Sequence, residues 1–184
     1  MTMPVERTNV EEFLRSRGAD RIAHPGGTLF AHLNRVADLL AAWDAGEDIR
    51  YAGLCHAMYG TDGFNQPLLE LSARDTVVEL IGEPAESLVY FYCSCDRSAV
   101  YPRLDSTPVV FTDRFTGRDY EPADSALHAF MEITAANELD VMAHNAELAA
   151  EHGPALYRLF ERTRRHLSPQ AWLACSNQLA PKDS

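Results

Sequence analysis

The chain has 184 residues, a formal net charge of −11 and a pI near 5.0. That length fits a single domain, 1–184, whose core holds without staples. So acidic a chain lacks the basic face that releases counterions from a nucleic-acid backbone, which excludes a broad nucleic-acid footprint but not a small phosphorylated ligand met by a few local arginines.

Residues Met1 to Asn9 carry no basic stretch followed by an apolar run, and no window reaches about 18 apolar residues. A cytoplasmic protein without a membrane span is expected. Four cysteines, at 55, 93, 95 and 175, lack the density of a disulfide scaffold, and Cys93-x-Cys95 is too tight for a usual zinc knuckle. The first helix is expected over Glu11 to Arg17, broken at Gly18. His24-Pro25-Gly26-Gly27 then forms a turn leading into the next helix, in which His24 reads as a water-exposed loop residue in preference to a pocket residue, and Thr28 is a good N-cap. The next helix, about Leu29 to Trp43, repeats apolar residues at helical spacing with His32 among them, which turns that imidazole inward. A further helix, about Ile49 to Met58, puts His56 on a face with the small residues Ala52 and Gly53, leaving room for another backbone or a ligand.

Gly60-Thr61-Asp62-Gly63-Phe64 is expected as a loop on a pocket rim, or as a plain turn with Asp62 capping a helix. Arg74 to Ile81 and Ala85 to Cys95 read as helices separated by Gly82-Glu83-Pro84. The aromatic run Tyr90-Phe91-Tyr92 reads as core or as a pocket wall. From Val100 to Pro122 β-branched and aromatic residues point to a short hairpin or irregular lid over the pocket. Helices are then expected over Ala126 to Asn137, Asp140 to Glu151, Pro154 to His166 and Pro169 to Gln178. The fold class is all-α with this one insertion, its helical core over 21–96 and 124–178.

Two stretches carry the chemistry. One is His32-Leu33-Asn34-Arg35-Val36-Ala37-Asp38-Leu39-Leu40; the other is Tyr51-Ala52-Gly53-Leu54-Cys55-His56-Ala57-Met58-Tyr59-Gly60-Thr61-Asp62. Together with the Ile-Gly-x-x-Ala-Glu-x-Leu-Val run from Ile81, they resemble the HD superfamily of helical metal-dependent phosphohydrolases, nearest its guanosine-tetraphosphate hydrolase branch. The resemblance covers about Arg21 to Asp96, with an echo near Asn137. In that family a first histidine, a His-Asp pair and a later aspartate hold one divalent cation that activates water. His32 and His56 match the two histidines, but Ala57 stands in the place of the paired aspartate and Asn137 in that of the later one. The metal motif is degenerate.

The leading expectation is therefore a small-molecule enzyme on an HD-like scaffold, without a cofactor, in which His32 and His56 perform acid–base chemistry. Tyr59, Thr61, Asp62, Arg74, Glu86 and Asn137 are the candidate substrate-binding groups, although Arg74 reads equally as a surface arginine paired with Glu70 or Glu79 and Glu86 as a first-turn glutamate. Two alternatives stand beside it. One is a metal-dependent phosphohydrolase with rearranged ligands, His32 and His56 joined by Asp62 or Asp96. The other is a non-catalytic binding or regulatory domain. A cysteine nucleophile has no assignable base. His128, His144, His152 and His166 read as solvated, and Arg158, Arg162, Arg164 and Arg165 as a basic face for a partner or ion pairs, with a homodimer as one use of the C-terminal helices.

Overall fold

The N-terminal half is built from short helices whose ends follow from local side chains. The computed structural model describes residues 5–181, so residues 1–4 of the stretch read for a leader lie outside it. Helix α1 (Arg7–Ser16) begins a turn earlier than expected. A small hairpin of β1 (Ala23–His24) and β2 (Gly27–Thr28) follows, turning at Gly26 with φ 81°. Thr28 caps α2 (Leu29–Ala42), its hydroxyl oxygen accepting the Ala31 N–H at 3.2 Å. Helix α3 (Glu47–Leu54) crosses α2 at Gly53, where an added Cβ would collide with the Leu40 side chain. The small residue of α3 thus admits Leu40, not a ligand. The helix also stops at Leu54 rather than Met58, because the His56 ring donates from Nδ1 to the Gly53 carbonyl at 2.7 Å and caps the helix end from the turn beyond it.

After a loop come α4 (Arg74–Ile81) and α5 (Glu83–Cys93), joined through Gly82 at φ 86° with Pro84 in the first turn of α5. Asp96 caps the short α6 (Arg97–Val100). The expected hairpin forms from β3 (Phe111–Asp113) and β4 (Arg118–Tyr120), antiparallel with Phe111 opposite Tyr120. It does not close over the histidines. Phe111 stacks on Phe91 at 4.2 Å and both rings pack against Phe130, so the insertion braces the core. Arg114 ties it down, donating to the carbonyls of Cys93 at 2.8 Å and Gly60 at 3.1 Å.

Where two helices were expected, α7 (Asp124–His144) runs unbroken through the centre, buried on nearly every side. Helix α8 (Ala146–Arg162) follows, capped by Asn145 and containing Pro154 in its interior, and α9 (Pro169–Leu179) is capped by Ser168. The basic C-terminal face holds the insertion: Arg162 donates to the Tyr101 carbonyl and Arg165 to the Ser106 carbonyl, each at 2.6 Å, while Arg164 lies over the Trp172 ring. The fold is all-α, 64% helical, with short hairpins. Among the described residues no helix is long and apolar enough to cross a membrane.

One ionic cluster is structural. Glu86, buried in α5, accepts two hydrogen bonds from Arg74 at 2.6 and 2.7 Å and one from the Tyr59 hydroxyl at 2.8 Å. Arg74→Ala leaves that carboxylate buried with one neutral donor, and because the guanidinium is 37% exposed the expected cost is about 2–3 kcal/mol, below a fully buried pair. Urea unfolding checks this; Arg74→Ala combined with Glu86→Leu is expected to recover part of the loss.

Candidate functional site

Five segments bring their polar residues to one cavity of about 260 Å³. It is lined by His24 of the first hairpin, His32 of α2, His56 and Thr61 of the turn and loop after α3, Arg97 of α6, and Asn137 and Glu138 of α7, with Leu29, Phe64, Val141 and Leu148 as apolar wall. Ala57, the residue after His56, also faces it and offers no polar atom. A larger concavity of about 970 Å³ lies between the insertion and the C-terminal helices, but it is an open groove. Its His128 donates to the His166 carbonyl at 2.9 Å and Arg165 donates to the His166 ring at 3.1 Å, which spends those rings on the fold.

The His32 ring is fixed from both sides. Nδ1 donates to Asp140 Oδ2 at 2.6 Å, and the same carboxylate accepts Arg35 Nε at 2.7 Å and Nη2 at 3.0 Å. Burial works against ionisation of Asp140, but the hydrogen bonds from His32 and Arg35 outweigh it and hold the carboxyl down at about 2. Arg35 also donates to the Pro25 carbonyl at 3.1 Å, so one guanidinium links the His24 hairpin to the Asp140 carboxylate. His144, one turn beyond, donates to the Asp140 carbonyl at 2.8 Å.

His56 points its Nε2 to the same place. With its Nδ1 committed to Gly53, and that of His32 to Asp140, both Nε2 atoms face Asn137, at 3.1 and 3.0 Å from its amide oxygen. The Asn137 N–H is given to Glu138 at 3.2 Å, so its amide oxygen only accepts, and each contact becomes a hydrogen bond when its ring carries a proton on Nε2. Burial, reinforced by the His32 ring, lowers His56 to about 3; the same two causes lower His24 to about 4. His24 is half-buried in the pocket wall and not a free loop residue: it stacks on His32 at 4.0 Å, and its buried Nδ1 has no hydrogen-bond partner among the described residues.

Several expected site residues lie elsewhere. Tyr59, Arg74 and Glu86 form the separate cluster behind the pocket, so Arg74 pairs with neither Glu70 nor Glu79. Thr61 lines the cavity with its hydroxyl oxygen accepting the Phe64 N–H at 3.0 Å. Asp62 accepts the Arg97 backbone N–H at 2.9 Å, and Asp96 accepts the Ala99 N–H at 3.0 Å and the Ser98 hydroxyl at 2.7 Å, so both carboxylates serve α6 and neither lines the cavity. Among the described residues no group of three His, Cys, Asp or Glu side chains is disposed to hold a metal ion. Tyr92 packs edge-on to His56 and Phe91 is core, so the aromatic run backs the site without lining it. The four cysteines are free and buried, and burial pushes the Cys93, Cys95 and Cys175 thiols up to about 12, unfit as nucleophiles. Of the histidines read as solvated, His166 is buried, while His152 is exposed beside Glu151.

Sequence reasoning did not single out Asp140, Arg35, Glu138 or Arg97. Asp140 and Arg35 each stand three residues after a residue that was singled out, Asn137 and His32, and share its helix face. Residues 13–97 match the profile of a family described as a domain of unknown function (DUF6817), a little under half of the chain. No curated protein and no solved structure matches. The matched segment holds His24, His32, His56 and Arg97, whereas Asn137, Glu138 and Asp140 lie beyond it.

These shifts set the acid response. His56 takes its proton near 6.5 when unfolded but near 3 when folded, so between those values the unfolded chain binds more protons; stability is full above about pH 6.5 and falls as pH drops. His24 adds to that slope in the window from 6.5 to about 4, and Asp140 adds its own loss only between 3.8 and about 2. The urea midpoint is expected to fall by the equivalent of a few kcal/mol between about pH 7 and 5, above the range in which ordinary carboxylates titrate. A His24→Asn, His56→Asn double variant should flatten that slope, and a flat profile for the parent would show both rings to be unperturbed.

Proposed function

We propose that this chain is a small-molecule enzyme in which His32, anchored by Asp140, moves a proton inside a helical pocket on a degenerate HD-type scaffold. One observation carries the reading: a buried imidazole has its Nδ1–H locked on a carboxylate at 2.6 Å and its Nε2 turned to a cavity. Such pairing fixes the tautomer and stabilises the imidazolium that forms when Nε2 takes a proton. Arg35 holds the carboxylate so that it cannot rotate away. His56, neutral near physiological pH, serves as a hydrogen-bond acceptor and not as the resting acid, and Asn137 spans the two rings. The cavity of about 260 Å³ lies below the roughly 300–1,000 Å³ of drug-sized sites, which points to a small substrate.

An HD-type phosphohydrolase would place a divalent cation between His32, His56 and two carboxylates. The residues here do not fit that ion. At that place the donor set is two imidazoles and a neutral amide, with Ala57 offering nothing and Asp62 and Asp96 engaged at α6, and a hard cation prefers anionic oxygen. A second reading, a ligand-binding domain without turnover, draws support from the two imidazoles held neutral, His24 and His56, which are poor proton donors.

The test joins elemental analysis of untagged protein with a screen of small hydrolysis and isomerisation substrates. His32→Gln is expected to lower kcat/KM about 10²–10⁴-fold with far-UV circular dichroism unchanged, Asp140→Asn to approach that loss, and chelator to have no effect. Near-stoichiometric metal that disappears in His32→Gln, with activity restored by added ions, would overturn the proposal in favour of metal-assisted hydrolysis. Saturable binding with no turnover across the screen would favour the binding domain.

A further inference from the structure

Arg97 is a guanidinium with little to hold. Its Nη1 donates to Glu138 Oε1 at 3.4 Å and its Nη2 to the Tyr92 hydroxyl at 3.5 Å, both at the far edge of hydrogen-bonding distance. Arg35 and Arg74, by contrast, grip their carboxylates at 2.6 to 3.0 Å. Yet Arg97 is as carefully seated as they are. Asp62 fixes its backbone N–H, and Gly63 leaves the space its head occupies, since a Cβ there would stand 2.6 Å from Nη1. The side chain is three-quarters covered and lines the histidine pocket. An arginine carries five N–H donors in a planar fork, so most of this one's capacity has no protein acceptor among the described residues.

The carboxylate that faces this guanidinium is equally loose. The Glu138 carboxylate accepts the Asn137 amide N–H at 3.2 Å and the Arg97 contact at 3.4 Å, bridging the group that faces both histidines to the cation on the wall. Arg97 and Glu138 also line a second cavity of about 380 Å³ with Tyr101, His152 and Arg162, so the pair forms the partition between the two spaces. A carboxylate that leaves Arg97 can therefore turn toward a space that already holds another arginine.

We infer that Arg97 anchors an oxyanion of the pocket's small-molecule ligand, a carboxylate or a phosphate group, in the place now held by the Glu138 carboxylate. A carboxylate or a phosphate group takes two parallel N–H donors from a guanidinium, which the long contact to Glu138 does not use. The inference rests on the pocket being a small-molecule site, but not on proton transfer by His32.

The experiment titrates acetate and inorganic phosphate separately into the full chain and follows the histidine ring signals by NMR. At least one anion is expected to shift the His32 and His56 signals saturably; acetate alone assigns a carboxylate and phosphate alone a phosphoryl group. Arg97→Gln should weaken that binding about tenfold or more, Arg97→Lys should keep part of it, and Glu138→Gln, which removes the competing charge, should tighten it. No saturable shift with either anion overturns the inference, as does affinity unchanged in Arg97→Gln or weakened in Glu138→Gln. Should Arg97→Gln fail to fold by circular dichroism, the opposite directions of Arg97→Lys and Glu138→Gln decide it. Anion binding without turnover would sink the enzyme reading alone, whereas His32-dependent turnover with KM indifferent to Arg97→Lys would sink the oxyanion alone.

Discussion

Everything in the pocket hangs on the Asp140 carboxylate. A buried carboxylate is costly unless its lone pairs are met, and Asp140 is met by His32 from one helix face and by two N–H of Arg35 a turn further along that face. Those three bonds staple α2 to α7. Through the Arg35 donation to Pro25 they also set the height of the hairpin that carries His24. The arrangement fixes geometry more than it adds stability, since an apolar replacement of such a cluster is often neutral for stability. What the charges supply is a ring orientation: with Nδ1 committed, Nε2 of His32 has one place to point.

The two central imidazoles are consequently unlike each other. His32 is backed by an anion, His56 by a backbone carbonyl at a helix end, and at His56 burial outweighs the support that the carbonyl gives a positive ring. His56, pressed down to about 3 by burial, is a fixed acceptor across the physiological range. Two histidines facing each other across a pocket look like an acid and a base. Here their partners on the far side, an anion behind one and a carbonyl behind the other, assign them different work.

How much of this the sequence disclosed depended on whether each helix had a dry face and a wet one. Helix α2 has both, so its limits, its cap at Thr28 and the inward turn of His32 were legible from spacing. Helix α7 has no wet face over most of its length, and a helix buried all round shows no stripe. Its sequence pattern breaks between Asn137 and Asp140, which hides the single helix face those two residues share and leaves Asp140 outside the expected site. His56 was assigned to the pocket from the wrong local structure, a helix in place of the turn past its end. The inward direction survived because the imidazole itself makes the cap. Tyr59, Arg74 and Glu86 were legible as polar residues near the motif, but whether a polar side chain faces a cavity or another side chain is a tertiary fact. They satisfy one another. The hairpin of 111–120 was legible from its β-branched and aromatic residues, but its position was not, because Phe111 and Phe91 meet through packing that no local pattern encodes.

The pocket is also a joint between two parts of the chain that differ in kind. Residues 13–97, the part that matches a described family, supply three imidazoles and a guanidinium, all of them neutral or cationic groups. Helix α7 supplies the carboxylates and the amide that these groups need, Asp140 behind His32, Asn137 between the rings and Glu138 beside Arg97. Neither part is a site alone. Without α7 the His32 ring has no anion to fix its tautomer, and without α2 and α6 the Asp140 and Glu138 carboxylates would lose their cationic partners. Because each half leaves the other's polar groups unsatisfied, docking α7 and forming the site are one event. The pocket therefore forms with the core, and its chemistry is as cooperative as the fold.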